Sequence, residues 1–340
     1  MTRLIKFGLS ILPWLIIAGL LWAGIFIKPQ ASGTTVEPPV IERGDAFFGV
    51  ITPTPEQLWV VGNNGKIIHS ADGGTSWTAQ QIEGAKHLQD IAAWNARQAI
   101  VVGNGGLVFT TTDGGTQWQG KRIAFLPETL DKLLRVKTAS GGHAWAVGEM
   151  GALLHSADYG KTWERRRGEQ DAAFNDIAIV DERQLWVVGE AGSMLHSSDG
   201  GDTWQTVPIQ LRSSLMAIAF RDAYNGVAVG LDGVILTTRN SGKTWQQFAA
   251  TQPSGGTSKL HFYDVAWDIA RNQWFAVGDQ GFVATADADA SAWRGMQLSP
   301  QESAWHTRIV PAHGRLYLAG ATLGEWAGTD DSWRPFGAKQ

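Results

Sequence analysis

The chain repeats one pattern seven times, and this repetition constrains its fold more than any other feature. In each copy a glycine closes an apolar run, and a tryptophan follows that glycine at a nearly constant distance. The glycines are Gly62, Gly103, Gly148, Gly189, Gly230, Gly278 and Gly320, spaced by 41, 45, 41, 41, 48 and 42 residues. The tryptophan follows by 15 residues in six copies and by 13 in the last. Such a period indicates a repeat architecture.

Each copy contains four short runs that have the composition of β-strands. In the fourth copy these runs are residues 174–180, 184–189, 192–197 and 203–207. Four short strands in slightly more than 40 residues are typical of one propeller blade. A solenoid is the alternative, but its β-repeats are shorter. Closure into a ring also removes long exposed sheet edges. The sequence therefore predicts an all-β chain with a seven-bladed β-propeller.

The composition agrees with this fold class and excludes several kinds of site. The 340 residues include 41 glycines, as expected for many tight turns. Hydrophobic residues make up 44% and charged residues 18%, which is a globular composition. The chain has no cysteine, so disulfides, thiolate metal sites and a cysteine nucleophile are excluded. The net charge of -4 gives no indication of nucleic-acid binding.

An uncharged apolar run near the N-terminus, residues 7–27, predicts one transmembrane helix in contact with the lipid bilayer. Its 21 residues span about 30 Å at about 1.5 Å per residue. Arg3 and Lys6 precede the run, which predicts a cytoplasmic N-terminus and a propeller on the periplasmic or lumenal side of the inner membrane. A signal peptide is the alternative, although the run is long for one and lacks a small-residue cleavage site. The expected organisation is an anchor over residues 1–28, a tether over 29–44 and the propeller over 45–340.

The tether contains a second strand-like run, Val36–Glu42, which resembles the outer strand of another blade at Val207–Leu211. Residues 332–336 already supply an outer strand for the seventh blade, but that run is short and contains Pro335. The run at 36–42 therefore predicts that the N-terminal segment joins the last blade and closes the ring.

A turn motif with an aspartate and a tryptophan lies between the third and fourth strands of the repeat. Its clear copies are SADGGTSW (70–77), TTDGGTQW (111–118), SADYGKTW (156–163) and SSDGGDTW (197–204), while TRNSGKTW (238–245) has asparagine instead of aspartate. An aspartate in a turn accepts backbone N–H bonds, and a tryptophan buries a large face. We therefore expect structural roles for Asp72, Asp113, Asp158, Asp199, Trp77, Trp118, Trp163, Trp204 and Trp245. Because the aspartates belong to different blades, they are not expected to converge on one substrate.

This motif resembles the Asp-box, or bacterial neuraminidase repeat. With the preceding W-x-V-G-x-x-G pattern, as at residues 59–65, the chain is similar over about 45–336 to the propellers of the photosystem II assembly and stability factor family. The resemblance implies a scaffold that binds a membrane-protein complex, without a cofactor and without enzyme activity. That complex would be a photosystem in a photosynthetic host. In other bacteria the resemblance implies that the partner is a subunit of a resistance-nodulation-division type exporter.

Basic residues are frequent in the segments that link one blade to the next. Function is often found in variable loops on a rigid scaffold. The candidate partner-binding residues are Arg122, Arg135, Arg165, Arg166, Arg167 and Arg212. The resemblance implies an arginine-rich binding patch, but no motif aligns the individual arginines. Scattered, solvated charges are the alternative.

A glycoside hydrolase of the sialidase type, or a carbohydrate-binding protein, is the second interpretation of the Asp-box. A sialidase needs an arginine cluster, a tyrosine nucleophile and a separate acid. Tyr159 lies inside an Asp-box and Tyr317 at a packing position, while residues 308–311 only approximate the sialidase signature and lie in the last repeat. A structural subunit of an envelope complex is the third interpretation. We expect no catalytic, cofactor-binding or metal-binding residues.

Overall fold

The computed structural model describes residues 13–24, 39–127 apart from 81, 83 and 85, 132–326 and 332–337. Within these residues, seven β-sheets follow one another along the chain, and each is built from one repeat. The innermost strand of each sheet contacts that of the next, and the last contacts the first. The predicted seven-bladed, all-β propeller is confirmed.

The blades share one plan, in which four strands run outward from the centre in chain order. Blades 1 to 4 contain β1 (Phe47–Ile51), β2 (Leu58–Gly62), β3 (Ile67–Ser70), β4 (Thr78–Gln80); β5 (Leu88–Ala93), β6 (Ala99–Gly103), β7 (Leu107–Thr111), β8 (Gln119–Arg122); β9 (Leu133–Thr138), β10 (Ala144–Gly148), β11 (Leu153–Ser156), β12 (Glu164–Arg165); and β13 (Phe174–Ile179), β14 (Leu185–Gly189), β15 (Met194–Ser197), β16 (Gln205–Thr206). Blades 5 to 7 contain β17 (Leu215–Phe220), β18 (Gly226–Gly230), β19 (Ile235–Thr238), β20 (Gln246–Phe248); β21 (Ala250–Thr251), β22 (Phe262–Asp268), β23 (Gln273–Gly278), β24 (Phe282–Asp287), β25 (Trp293–Gln297); and β26 (His306–Ala312), β27 (Arg315–Gly320), β28 (Leu323–Trp326), β29 (Trp333–Pro335). Short 3₁₀ turns occur at Asn63–Gly65, Ser140–Gly142, Glu190–Gly192, Leu231–Gly233 and Asp279–Gly281.

The hydrophobic core lies between the blades. The second strand of a blade is covered on both sides, so its residues are buried throughout, as in β2 and β14. The large residue three positions before the repeat glycine packs against the next blade. Trp186 is an example, because its ring lies 5.6 Å from that of Trp245 and beneath Gly242, where an added Cβ would come within 2.1 Å of it. The apolar repeat positions are therefore inter-blade contacts, as their recurrence indicates.

The glycine that ends each second strand is needed for close approach. Gly62 has an extended backbone (φ -161), but a Cβ there would lie 2.1 Å from the carbonyl oxygen of Ala46. The same contact would form at 1.7 to 2.4 Å in all seven copies. Positive φ occurs instead at the following turn residues Asn64 (φ 55) and Gly65 (φ 69). The spacing of the glycines in the sequence does not show which of them are needed for close approach and which for a positive φ.

The two faces of the ring carry different loops. One side carries the turns between second and third strands and the segments between blades, and we call it the linker face. The opposite Asp-box face carries the turns between third and fourth strands. Each first strand starts at the linker face, where Asn63 N donates to Ala46 O at 2.9 Å in blade 1. This division follows from four antiparallel strands per blade, because an even number returns the chain to the face where it started.

Residues 40 and 41, just before the first blade, pack on blade 7 without adding a strand. Residues 39–42 form no ladder with another strand, so the predicted strand is wrong for these residues, and residues 36–38 lie outside the described part. Val40 and Ile41 contact the apolar cluster that includes Phe336. The outer edge of blade 7 is already paired with β29. The blade that does gain a strand is blade 6, where β21 pairs in parallel with β25.

Residues 13–24, described by themselves, form a helix with exposed apolar side chains that include Trp14, Leu20 and Trp22. In the described part of the chain, no helix is both long and apolar enough to cross a membrane. The rest of the predicted span, residues 7–12 and 25–27, lies outside the described residues.

Candidate partner-binding face and central channel

The innermost strands line a central channel, and their third residues carry a buried belt of charges. Blades 1 and 5 have Gly49 and Ala217 at this position. The other blades have Asp90, Arg135, Asp176, Asp264 and Arg308, all buried. We call these five residues the belt.

Ion pairs connect the belt across the channel. Arg135 Nε lies 3.1 Å from an oxygen of Asp176, and Arg135 Nη2 lies 3.8 Å from one of Asp264. Arg308 Nε donates to Asp90 at 3.1 Å. Buried charges need such partners, because an unpaired one is costly. The belt therefore links blades 2 and 7, and blade 3 with blades 4 and 6.

The belt carboxylates also join neighbouring blades through the backbone. In each case the second carboxylate oxygen accepts an N–H from the innermost strand of the next blade. The donors are Val136 to Asp90 at 3.0 Å, Ile218 to Asp176 at 3.0 Å and Ile309 to Asp264 at 2.9 Å. A charged residue in an apolar strand at one repeat position, as in LQDIA, FNDIA and FYDVA, is the sequence signal that could have revealed these residues.

Burial changes the acidity of two belt residues. Loss of water raises the pKa of the Asp264 carboxyl to about 6, although the positive charges of Arg135 and Lys137 oppose this rise. Burial also raises the pKa of Asp90, against the same two cations. The protonation of Asp264 is therefore sensitive to pH near 6.

The belt divides the channel into two cavities. The cavity at the linker face has a volume of about 140 Å³ and is bordered by Phe48, Met216, Tyr263 and other second residues of the innermost strands. The cavity towards the Asp-box face has a volume of about 390 Å³ and contains Lys137. Tyr263 donates to Asp279 at 2.9 Å, which connects the first cavity to a turn of the linker face.

The arginines predicted to bind a partner occupy three different environments. Arg122 and Arg212 are exposed at the linker face, and Arg167 is half-buried in a linker. None of these three has a carboxylate at ion-pair distance in the described residues, although Arg122 donates to the carbonyl oxygens of Leu126 and Pro127. These three arginines could therefore pair with acids of a partner.

The other three arginines pair within the chain. Arg135 belongs to the belt, where it is 3% exposed, and so lies away from the surface. Arg165 lies 3.5 Å from Glu169. Arg166 contacts Asp202 at 3.2 Å and His155 Nδ1 at 2.9 Å, so it holds blades 3 and 4 together. Successive residues of a strand point to opposite sides, and the consecutive arginines 165–167 accordingly occupy different environments.

The Asp-box aspartates are bonded within their own turns. Asp199 Oδ1 accepts the Thr203 N–H at 2.9 Å, and Oδ2 accepts the Thr203 hydroxyl at 2.6 Å. The hydroxyl and N–H of Thr203 lower the pKa of Asp199 to about 2, and those of Ser76 do the same for Asp72. The Gln117 N–H lowers the pKa of Asp113. A carboxylate held ionised in this way is poorly suited to act as a general acid.

The remaining Asp-box residues follow the same arrangement with some variation. Asp158 accepts the N–H and hydroxyl of Thr162 at 2.8 and 2.6 Å. The tryptophans close the turns, as Trp204 Nε1 donates to Gly201 O at 3.0 Å. Trp163 is buried, whereas the other four, Trp77, Trp118, Trp204 and Trp245, are half-buried. In the described residues, no group of three or more histidine, aspartate or glutamate side chains is arranged to hold a metal ion.

Comparisons with known proteins identify the family. The model of the photosynthesis system II assembly factor YCF48 family matches residues 75–171 and 202–313, which is more than half of the chain. No curated protein sequence matches the chain. One similar solved structure is YCF48 bound to D1 peptide, with 17% sequence identity and a TM-score of 0.66; the match covers 82% of this chain and 92% of that chain. Another is YCF48 from Cyanidioschyzon merolae, with 19% identity and a TM-score of 0.67; the match covers 83% of this chain and 96% of that chain. The GH74 xyloglucanase from Xanthomonas campestris is also similar, with 13% identity and a TM-score of 0.68; the match covers 87% of this chain and 54% of that chain. At these identities a structural likeness shows the fold alone, but the extent of the family match shows that the chain belongs to the family of the photosynthesis system II assembly factor YCF48.

Proposed function

We propose that this propeller is a binding module, not an enzyme, which binds a subunit of a membrane-protein complex and assists the assembly or stability of that complex. The match to the YCF48 family model is the observation that carries the proposal. One solved YCF48 is bound to D1 peptide, which supports a peptide segment as the ligand. A photosystem subunit and an exporter subunit are the two clients that the test below distinguishes.

The linker face is the surface we assign to the client. Arg122, Arg167 and Arg212 lie there without acidic partners in the described residues. An arginine binds a carboxylate through two parallel hydrogen bonds, so these residues suit an acidic segment or a chain terminus. Residues 40–45 also lie on this face, where Lys66 Nζ donates to Val40 O at 3.2 Å and pairs with Asp45 at 2.7 Å.

The membrane anchor is part of the proposal. Residues 7–27 carry no charge, and the described part of this run is helical with exposed apolar side chains. We expect the protein to sediment with inner membranes and the propeller to be digested by protease added on the periplasmic or lumenal side. A soluble mature form that begins near residue 30 would contradict the anchor.

Charge reversal on one face, with a matched control on the other, tests the binding surface. The test variant carries Arg122→Glu, Arg167→Glu and Arg212→Glu. The control carries Arg97→Glu, Lys161→Glu and Lys243→Glu, three exposed cations of the Asp-box face. Both variants should retain stability within about 1 kcal/mol, because these are surface positions.

Capture from detergent-solubilised membranes is the measurement, with mass spectrometry to identify the captured subunits. The linker-face variant should capture the client about tenfold less than the unmodified protein, and added salt should weaken capture by the latter. The Asp-box-face control should capture it normally. Equal capture by both variants would remove the linker face from the mechanism.

A further inference from the structure

Beyond the belt, the channel wall is apolar except for Lys137, which is its one charged residue, and Thr138. The fifth residues of the innermost strands lie on this side of the belt, and those of every blade except blade 4 border the cavity. Six of these residues are aliphatic, and the seventh is Lys137; the aliphatic ones are Ile51, Ala92, Ala178, Ala219, Ala266 and Val310. Because alanine side chains are short, the wall leaves the cavity of about 390 Å³ towards the Asp-box face. We call this space the lower cavity.

Lys137 has no counter-ion in contact. The belt arginines Arg135 and Arg308 each contact a carboxylate. No carboxylate oxygen of the described residues lies at ion-pair or hydrogen-bond distance from the Lys137 ammonium, and all seven innermost strands are described. A cation that borders apolar wall is stabilised when an anion or water reaches it.

The nearest acids are already bonded elsewhere. Asp90 contacts Arg308 and the Val136 N–H, and Asp264 contacts Arg135 and the Ile309 N–H. Their negative charge therefore acts on Lys137 only at a distance. Within the described residues the ammonium therefore has no bonded anionic partner, and an anion or water that enters the cavity can supply one.

We infer that the lower cavity binds a small organic carboxylate, whose charged head contacts Lys137 and whose apolar part lies against the alanine-lined wall. The volume falls within the range of about 300 to 1,000 Å³ that is usual for small-molecule sites. A mainly apolar wall with a few well-placed polar groups is also typical of such sites. Phe220, Trp267 and Pro311 border the same cavity and provide further apolar contacts. This site is independent of the client proposed for the linker face.

Calorimetric titration of the protein with hexanoate tests the site. Hexan-1-ol is the matched neutral probe, and hexylammonium is the matched cation. We expect saturable binding of one hexanoate per chain, at least about tenfold tighter than the alcohol, which corresponds to about 1.4 kcal/mol. The cation should not bind. Absence of hexanoate binding at about 10 mM, or equal binding of the alcohol, would refute the site.

Variants show whether hexanoate occupies this cavity. Lys137→Met keeps the length and apolar character of the side chain and should reduce hexanoate affinity by at least about tenfold. Ala266→Leu should have the same effect by filling the space. Lys243→Met, at an exposed lysine of the Asp-box face, should bind as the unmodified protein does. If Lys137→Met does not fold, Lys137→Gln replaces it. Undiminished binding by a folded Lys137 variant would overturn the inference.

Discussion

Replacement of the central arginine of the belt, Arg135→Met, tests how the channel is held together. The substitution removes a buried guanidinium and leaves the carboxylates of Asp176 and Asp264 without their shared cation. Breaking a buried ion pair by removal of one partner costs about 3 to 5 kcal/mol, because the other charge stays buried and uncompensated. We expect a loss of that size in the free energy of unfolding near pH 7.5.

The loss should depend on pH in a defined direction. The Asp264 carboxyl has a pKa of about 6 in the folded protein against 3.8 as its ordinary value. The folded state therefore binds this proton more tightly, and the group's contribution to stability rises as the pH falls from about 7 to 4, by up to about 3 kcal/mol. Without Arg135 the pKa rises further, because that cation had lowered it. The variant should thus recover part of its stability near pH 5.

Urea denaturation near pH 7.5 and pH 5, followed by far-ultraviolet circular dichroism, measures both effects. Arg122→Met, at an exposed arginine, is the control and should change stability by less than about 0.5 kcal/mol at either pH. Addition of Asp264→Asn to Arg135→Met should restore part of the loss near pH 7.5, because one uncompensated charge is removed. A folded, fully stable Arg135→Met that had lost client capture would refute this reasoning and return Arg135 to the binding surface.

Four further predictions concern the repeat and the belt. Trp204→Ala should destabilise the protein by about 2 to 3 kcal/mol in urea denaturation, below the 3 to 5 kcal/mol of a fully buried aromatic residue, because Trp204 is half-buried. Asp199→Asn should lower the free energy of unfolding by less than about 1 kcal/mol, since Asn240 already fills this position in blade 5 and accepts the Thr244 N–H at 3.0 Å. A larger loss of stability than for Trp204→Ala would contradict the structural role given to Asp199. Gly148→Ala should lower the free energy of unfolding by more than about 3 kcal/mol, because the added Cβ would lie 2.3 Å from Lys132 O. Gly168→Ala is the control, because an added Cβ there meets no atom within 4 Å, and it should leave the stability unchanged in the same assay. Asp264→Asn should flatten the dependence of melting temperature on pH between about 4 and 7, and a profile as steep as that of the unmodified protein would count against the raised pKa of Asp264.

The sequence by itself determined the number of blades and their internal order. The seven glycine and tryptophan landmarks predict seven sheets, and the four strand-like runs of the fourth repeat agree with β13 to β16 within two residues. This success has a local cause, because each blade is a continuous segment that pairs with itself. The roles of Asp199 and Trp204 could be predicted for the same reason, since each is bonded within a turn of a few residues.

The tertiary structure decided which charges meet. Asp90 and Arg308 are separated by 218 residues, and only closure of the ring brings them together in the belt. Arg135 and Arg122 both belong to the basic residues around the second linker, yet one is buried in the channel and the other is exposed. This difference in burial depends on the side of the strand from which each arginine projects and on contacts with blades that are distant in sequence. The repeat pattern also could not place residues 39–42, because β29 had already paired with the strand edge that they were predicted to join.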